Sequence, residues 1–255
     1  MSELLEAKGI QKIYGRKGNT YTAIRSIDLT IVKGEFIGIM GPSGSGKTTL
    51  LNALSTIDRP TSGSVTINGA DIVQMNEQDL ATFRRKRLGF IFQDYNLLDT
   101  LSVEENIALP LVLAKANATE IVSRVQRIAA KLGLEEILNK FPYEISGGQK
   151  QRTAAARAMI ISPDLIFADE PTGALDSKSA TALLQMMAQM NVEENATILM
   201  VTHDAFSASY CHRILFIKDG EIFTELDRGD LTRKVYFQKI LDVLSALGGG
   251  QSDII

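Results

Sequence analysis

With 255 residues, 45% of them apolar and 22% charged, the chain is long enough for one large α/β domain or two small ones, and its composition is that of a soluble globular protein. One cysteine (Cys211) and two histidines (His203, His212) exclude an internal disulfide and a multi-cysteine metal site, argue against zinc, and fit a reducing cytosol. A net charge of −3 provides no positive field to recruit nucleic acid.

The N-terminus, MSELLEAKGI, lacks the basic start and apolar core of a signal peptide. Short β-like pieces follow, and Tyr14 in KIYG is placed to stack on a base. EFIGIM (35–40) is an apolar run ended by Gly41 and reads as a buried strand; TTLLNALST resumes with helical spacing after a glycine-rich turn. VTI (65–67), closed by Asn68-Gly69, predicts a small antiparallel portion beside the main sheet. The basic run RRKR (84–87) reads as a solvated helix face, with contact to lipid headgroups or another subunit as the alternative. LGFIFQ ends on Gln93. From 94 to 158 the pattern is mostly helical, apart from the stretch around Pro142, and suggests a helical subdomain inserted into the α/β core. Within it, IALPLVLA (107–114) is too short to cross a bilayer and contains Pro110.

Three further apolar runs, DLIFAD (164–169), ATILMVTH (196–203) and RILFIKDG (213–220), read as strands. The helical stretch DSKSATALLQMMAQM carries Met186, Met187 and Met190 as core packing. Alternating strand and helix argues for a parallel sheet covered on both faces. From Leu231 to Leu247 apolar residues recur near helical spacing (Leu231, Val235, Ile240, Leu244, Leu247), with Gly248 as a possible cap and a GGG at 248–250. The tail either packs on its own domain or offers a docking surface.

GPSGSGKT (41–48) matches G-x-x-x-x-G-K-[ST] and lies between a predicted strand and a predicted helix. In this loop of Gly41, Pro42, Ser43, Gly44, Ser45 and Gly46 the glycines allow backbone N–H groups to curl around a diphosphate, while Lys47 would reach the β- and γ-phosphates, the Thr48 hydroxyl would bind Mg²⁺, and Thr49 continues the cradle. LIFADE (165–170) delivers Asp169 to a strand end, where its carboxylate can hold the metal shell, and then Glu170, which can polarise the attacking water as a general base. Gln93 and His203 also end apolar strands, on the ligand edge of a parallel sheet, where Gln93 could touch metal or water and His203 the γ-phosphate. YEISGGQKQRT (143–153) places two glycines at a helix N-terminus, an anion site that contributes N–H donors but no metal ligand.

Taken together, GPSGSGKT, the glutamine of FIFQDYN, ISGGQ, LIFADE, TGALD and the histidine of VTHD resemble the ATP-binding subunit of ABC transporters over residues 3–227. The resemblance implies a P-loop NTPase (RecA-like) core with a small antiparallel β subdomain and an inserted α-helical subdomain. It implies an ABC ATPase domain over 1–229, divided into a nucleotide-binding core (1–93 and 159–229) and a helical subdomain with the signature (94–158), then a helical tail (230–255). It further implies that Ser146, Gly147, Gly148 and Gln149 bind the γ-phosphate of an ATP held by the opposite copy of a homodimer, with Asp176 at the dimer seam. The pattern of the family has Leu where this chain has Ile145, a conservative change. ATP and Mg²⁺ are the expected cofactors, and a peripheral place on the cytoplasmic face of the membrane, against a permease, the expected location. Finer likenesses (FQDYNLLDTL, MVTHDAFSASYC, YFQKILDVLSALGG) are similar to ATPases of bacitracin- and lantibiotic-detoxifying transporters, within the macrolide-export and lipoprotein-release branch. They imply a ten-helix permease and a sensor histidine kinase. Rival expectations are a lipoprotein-release or cell-division ATPase, or a soluble ABC-type ATPase acting on nucleic acid or ribosomes; the last usually carries a coiled-coil insert or a second cassette, neither of which is present here.

Overall fold

The computed structural model describes residues 2–16 and 18–248. They build two compact units, one from the chain ends (up to Asn76 and again from Thr197), the other from Glu77–Ala196.

In the first unit, β1 (Glu3–Arg16) and β2 (Asn19–Val32) form a long antiparallel pair. Strand β4 (Ser62–Ile67) pairs with the other side of β1, and β5 (Ala70–Asp71) with β4. Leu5, Ala7 and Ile10 of β1 and Ile27, Leu29 and Ile31 of β2 are buried, giving the sheet one apolar face. Asn68 and Gly69 both have positive φ and join β4 to β5 as the two-residue turn that an Asn-Gly pair favours. A second sheet runs β10 (Glu221–Asp227), β9 (Arg213–Lys218), β3 (Phe36–Met40), β8 (Ile198–Val201). β3 is parallel to both β8 and β9, and β10 is antiparallel. Every residue of β3 is buried, as expected for a strand covered on both faces.

Gly38 of β3 explains the lone cysteine, because a Cβ there would lie 3.0 Å from the Cys211 sulfur. Cys211 fills that gap, and burial pushes its thiol well above the ordinary range, so it packs rather than reacts.

The same unit contains α1 (Lys47–Leu54), α7 (Ala205–Ala208) and α8 (Arg233–Gly248). Helix α8 buries Tyr236, Ile240 and Leu247, while Val235 is exposed. The inward stripe expected from the sequence therefore sits one residue later at its start. The Tyr236 hydroxyl fixes the phase by donating to the Leu226 carbonyl at 2.8 Å, and Arg233 lies over the Tyr210 ring at 4.2 Å. Gly248 is the last residue printed for the helix; the rest of the GGG lies outside the described residues.

The second unit holds α2 (Glu77–Arg87), β6 (Leu88–Phe92), α3 (Val103–Leu113), α4 (Ala118–Leu132), α5 (Gly147–Met159), β7 (Leu165–Asp169) and α6 (Ser177–Glu194). Strands β6 and β7 are parallel, and among the described residues no strand lies between them. Helix α3 opens with a reciprocal Ser102–Glu105 capping box, and α4 runs from an Asn117 N-cap to a left-handed Gly133. Buried Asn106 stitches the preceding loop, accepting from Leu98 N and donating to the carbonyls of Leu98, Leu101 and Ser102. RRKR forms the mainly exposed last turn of α2, where positive charge favours the helix C-terminus, and Arg87 pairs with Asp164 at 3.0 Å. Met187 and Met190 are buried and Met186 half-buried. No helix of the described residues is long and apolar enough to cross a membrane.

Candidate nucleotide site

The loop between β3 and α1 has no room for side chains at key glycines. A Cβ on Gly46 (φ 102°) would lie 2.6 Å from the Ala23 carbonyl oxygen, and one on Gly41 would strike Ile217 O. Helix α1 consequently starts from a left-handed Gly46, with no side-chain cap. Lys47, only 9% exposed, donates to the carbonyls of Gly41 and Pro42, both at 2.9 Å. Ser45 is buried, its hydroxyl oxygen without a hydrogen-bond partner. Thr48 and Thr49 lie on α1, and Ser43 and Gly44 on the outer arc of the loop.

Beside this loop, a cavity of about 220 Å³ is lined by Tyr14, Tyr21, Ala23, Gly44, Gly46, Lys47, Thr48 and Thr49. Tyr14 and Tyr21 face each other across the β1–β2 register, so both aromatic rings come to the same place. The sequence reading missed Tyr21; its signal was the second aromatic seven residues on, across a glycine-containing reversal. Tyr14 donates its hydroxyl to Asp58 at 3.0 Å; burial, then this bond, raise its pKa.

His203 is exposed two residues beyond β8. Ile39 pairs with Val201, so the strand ends that carry Gly41 and His203 lie on one edge of the sheet. Thr202 and Asp204 set the turn around the histidine: Asp204 N donates to the Thr202 hydroxyl, and the Asp204 carboxylate caps α7 through Phe206 N and Ser207 N.

In the second unit, β6 pairs Phe92 with Asp169 of β7, which brings Gln93 and Glu170 out side by side at one sheet edge. Glu170 has φ 46°, a left-handed conformation uncommon for a non-glycine residue and enriched at functional sites. The turn after it is closed by Gly173 N to Glu170 O at 3.0 Å. Gln93 lies against Gly173, where a Cβ would come within 3.1 Å of its amide carbon. Gln151 of α5, which sequence reasoning missed, pins this edge: wholly buried, it donates to Phe92 O at 3.1 Å and Pro171 O at 2.6 Å. Its signal was faint, a glutamine on the apolar side of a helix.

Helix α5 opens at Ser146, whose hydroxyl accepts from Gln149 N at 3.3 Å while the Gln149 side chain accepts from Ser146 N at 2.9 Å. The first two N–H groups, of Gly147 and Gly148, remain outside that box. The glycines also serve packing: a Cβ on Gly148 would lie 2.6 Å from the Ser179 hydroxyl, and one on Gly147 3.0 Å from the Tyr95 hydroxyl. Asp176 caps α6 through Lys178 N and Ser179 N, both at 3.0 Å, and hydrogen bonds from Ser179 hold its carboxyl below the usual range. Thus Tyr14, the 41–49 loop and His203 belong to the first unit, and Gln93, Asp169, Glu170, 146–149 and Asp176 to the second.

The metal-ligand candidates Thr48, Gln93 and Asp169 all offer oxygen, and no group of three His, Cys, Asp or Glu capable of caging an ion occurs among the described residues. Oxygen donors with a single carboxylate among them suit Mg²⁺, which is held through one or two carboxylates and completes its shell with phosphate and water.

A buried strand, a glycine-jammed loop and a helix beginning at a buried lysine define a P-loop NTPase. The ABC transporter family model matches residues 24–173. The bacitracin export ATP-binding protein BceA of Halalkalibacterium halodurans is 54% identical over 98% of this chain and 99% of its own. The ABC transporter ATP-binding protein YxdL of Bacillus subtilis is 54% identical over 100% and 98%. The macrolide export protein MacB of Wolinella succinogenes is 41% identical over 86% of this chain and 34% of its own length. Among solved structures, the dimeric post-hydrolysis state of the cassette MJ0796 bound to ADP and Pi superposes with TM-score 0.81 at 37% identity, covering 88% of this chain and 98% of that one. The chain therefore belongs to the ABC transporter family, as an ATP-binding, ATP-hydrolysing subunit.

Proposed function

We propose that this subunit works as an ATP-closed homodimer, bound peripherally to a permease at the cytoplasmic face of the cell membrane, and powers detoxification of bacitracin- or lantibiotic-type peptides. The observation that carries this reading is the extent of the likeness to the bacitracin export protein, which covers 98% of the chain, whereas the MacB relative covers 86%. We divide the chain accordingly into an ATPase domain (1–229, with 94–158 as its helical part between 1–93 and 159–229) and a tail (230–255). A histidine kinase reached through the permease belongs to the same proposal.

In this reading Tyr14 stacks on the adenine, and the 41–49 loop holds the phosphates, with Lys47 turning from its loop carbonyls to the β- and γ-phosphates. Thr48, Asp169 and Gln93 hold Mg²⁺, which when bound neutralises phosphate charge. Glu170 accepts the proton of the attacking water, and His203 and Gln93 orient the γ-phosphate and that water. The N-terminus of α5 offers the Gly147 and Gly148 N–H groups while its Ser146–Gln149 box is already closed, so it is suited to complete a site rather than to form one. Ser146, whose hydroxyl accepts from Gln149, can donate its own proton to a phosphate oxygen of the other copy, beside the Gly147 and Gly148 N–H groups. A two-fold pair would make two such sites, with Asp176 at the seam.

The test uses Glu170→Gln. With ATP it is expected to elute as a dimer and to lose hydrolysis by about 10²–10⁴-fold, the usual contribution of a general base. A variant that stays monomeric with ATP sinks the composite site. Affinity capture of the ATP-loaded variant from detergent-solubilised host membranes is expected to recover a ten-helix permease. A short four-helix permease would move the assignment to cell division.

A further inference from the structure

Tyr14 is 40% exposed near the end of a long strand, where its ring would ordinarily swing between rotamers. Its surroundings prevent this. The Tyr14 hydroxyl donates to one Asp58 carboxylate oxygen at 3.0 Å, and the Lys12 ammonium donates to the other at 2.7 Å. Lys12 also donates to the Arg59 carbonyl at 2.7 Å and stands 5.0 Å from the centre of the Tyr14 ring. The three side chains thus close a triangle in which one cation both neutralises the carboxylate and attracts the ring's negative face. Lys12 is not among the residues lining the nucleotide cavity, whereas Tyr14 is.

Asp58 does more than receive this hydrogen bond. Its own N–H donates to the Asn52 carbonyl of α1 at 3.1 Å, so it is fastened to the helix that begins at Lys47. The segment it starts is sewn to β1: Thr61 N donates to Gln11 O at 2.7 Å and Ile13 N to the Thr61 hydroxyl at 3.0 Å. The position of the Tyr14 ring is therefore tied to the helix that carries the phosphate loop.

We infer that Asp58 and Lys12 are positioning residues for the nucleobase, holding the Tyr14 ring as a rigid platform at a fixed distance from the phosphate loop. The inference deepens the ATP-site reading and rests on it. A ring ordered in advance spares ATP the cost of ordering it, which shows as affinity. Both groups stay in the required forms at neutral pH. Burial works against ionising Asp58, but hydrogen bonds from Lys12 and Tyr14 hold its carboxyl below the usual range, and the Tyr14 hydroxyl is raised and remains a donor.

The test titrates the full chain with 1,N6-ethenoadenosine triphosphate, whose emission changes when its base stacks, and with inorganic tripolyphosphate, which has no base. Tyr14→Ala is expected to weaken the ethenoadenine nucleotide about tenfold, within the range for one base on one aromatic ring. Asp58→Ala and Lys12→Met are expected to weaken it by about threefold, with a smaller emission change and no change for tripolyphosphate. Asp58→Asn, which keeps an acceptor for the tyrosine hydroxyl, is expected to restore part of the loss and carries the test if the alanine variant does not fold. In a Tyr14→Ala background, Asp58→Ala should add nothing. Unchanged nucleotide affinity and emission in Asp58→Ala would overturn the inference. So would an equal loss for tripolyphosphate, which would make Asp58 a support of α1 alone. If wild type bound tripolyphosphate but gained nothing from the base, the platform would fall while the phosphate-loop reading survived; if it bound neither, both would fall.

Discussion

Among the described residues, two α-helices have N-termini preceded or opened by glycine, and they are built to opposite specifications. Helix α1 starts from a left-handed glycine without a side-chain cap, and its lysine is buried against the loop it serves. Helix α5 starts from an exposed serine in a reciprocal capping box with Gln149, and its cations, Lys150 and Arg152, follow beyond that box. The first end has no side-chain cap and adds a full positive charge, so it can hold a polyphosphate alone. The second has its Ser146 and Gln149 N–H groups taken by its own side chains and offers those of Gly147 and Gly148, so an anion gains from it chiefly when other groups already hold that anion. Strength in one site and conditionality in the other are what an ATP-dependent contact between two copies requires.

The largest expected effect breaks the stronger end. Lys47→Ala removes its one cation, and nucleotide affinity in isothermal titration should fall by about 100-fold, the upper range for a hydrogen bond to a charged group. Affinity within a few-fold of wild type would mean that the backbone cradle suffices and the comparison is misdrawn. A smaller effect tests the link between α5 and the acidic strand edge. Gln151→Ala takes away the side-chain donor to Pro171 O and one of the two donors to Phe92 O, which keeps Tyr95 N, and should cost about 1–3 kcal/mol in urea denaturation. Because the tether lies beside Gln93 and Glu170, kcat should fall more than KM rises; unchanged kcat would reduce Gln151 to a stabilising residue.

How much of this was legible in the sequence depended on the range of the physics involved. GPSGSGKT and LIFADE announce themselves because loop, strand and chemistry are contiguous: the apolar run makes the strand, and the next residue is the functional one. The Asn68-Gly69 turn was readable for the same reason. Ties between distant segments were not. Asp58 meets Tyr14 across 44 positions and Gln151 meets Phe92 across 59, and no local periodicity encodes either. The glycines of ISGGQ were legible as close approach, but one neighbour they admit is Ser179 of the same unit, which only packing reveals. Val235 misled because apolar spacing alone fixes a helix's inward face no better than one residue; the Tyr236 hydrogen bond to Leu226 decided the phase.

The smallest effect separates the two roles of the signature serine. Ser146→Ala removes an N-cap, which costs about 1 kcal/mol of helix stability. A cap loss alone would lower the melting temperature and leave everything else in proportion. If the hydroxyl also donates to a phosphate bound by the other copy, then ATP affinity of the monomer should stay at wild type while ATP-dependent dimerisation of Glu170→Gln weakens by more than the cap loss accounts for. Ser146→Thr sharpens the comparison, since it keeps both a capping oxygen and a donor hydroxyl and should recover both measurements. If Ser146→Ala in the Glu170→Gln background dimerises with ATP as strongly as its parent, the hydroxyl does nothing across the interface, and the conditional character of α5 must rest on the Gly147 and Gly148 N–H groups alone.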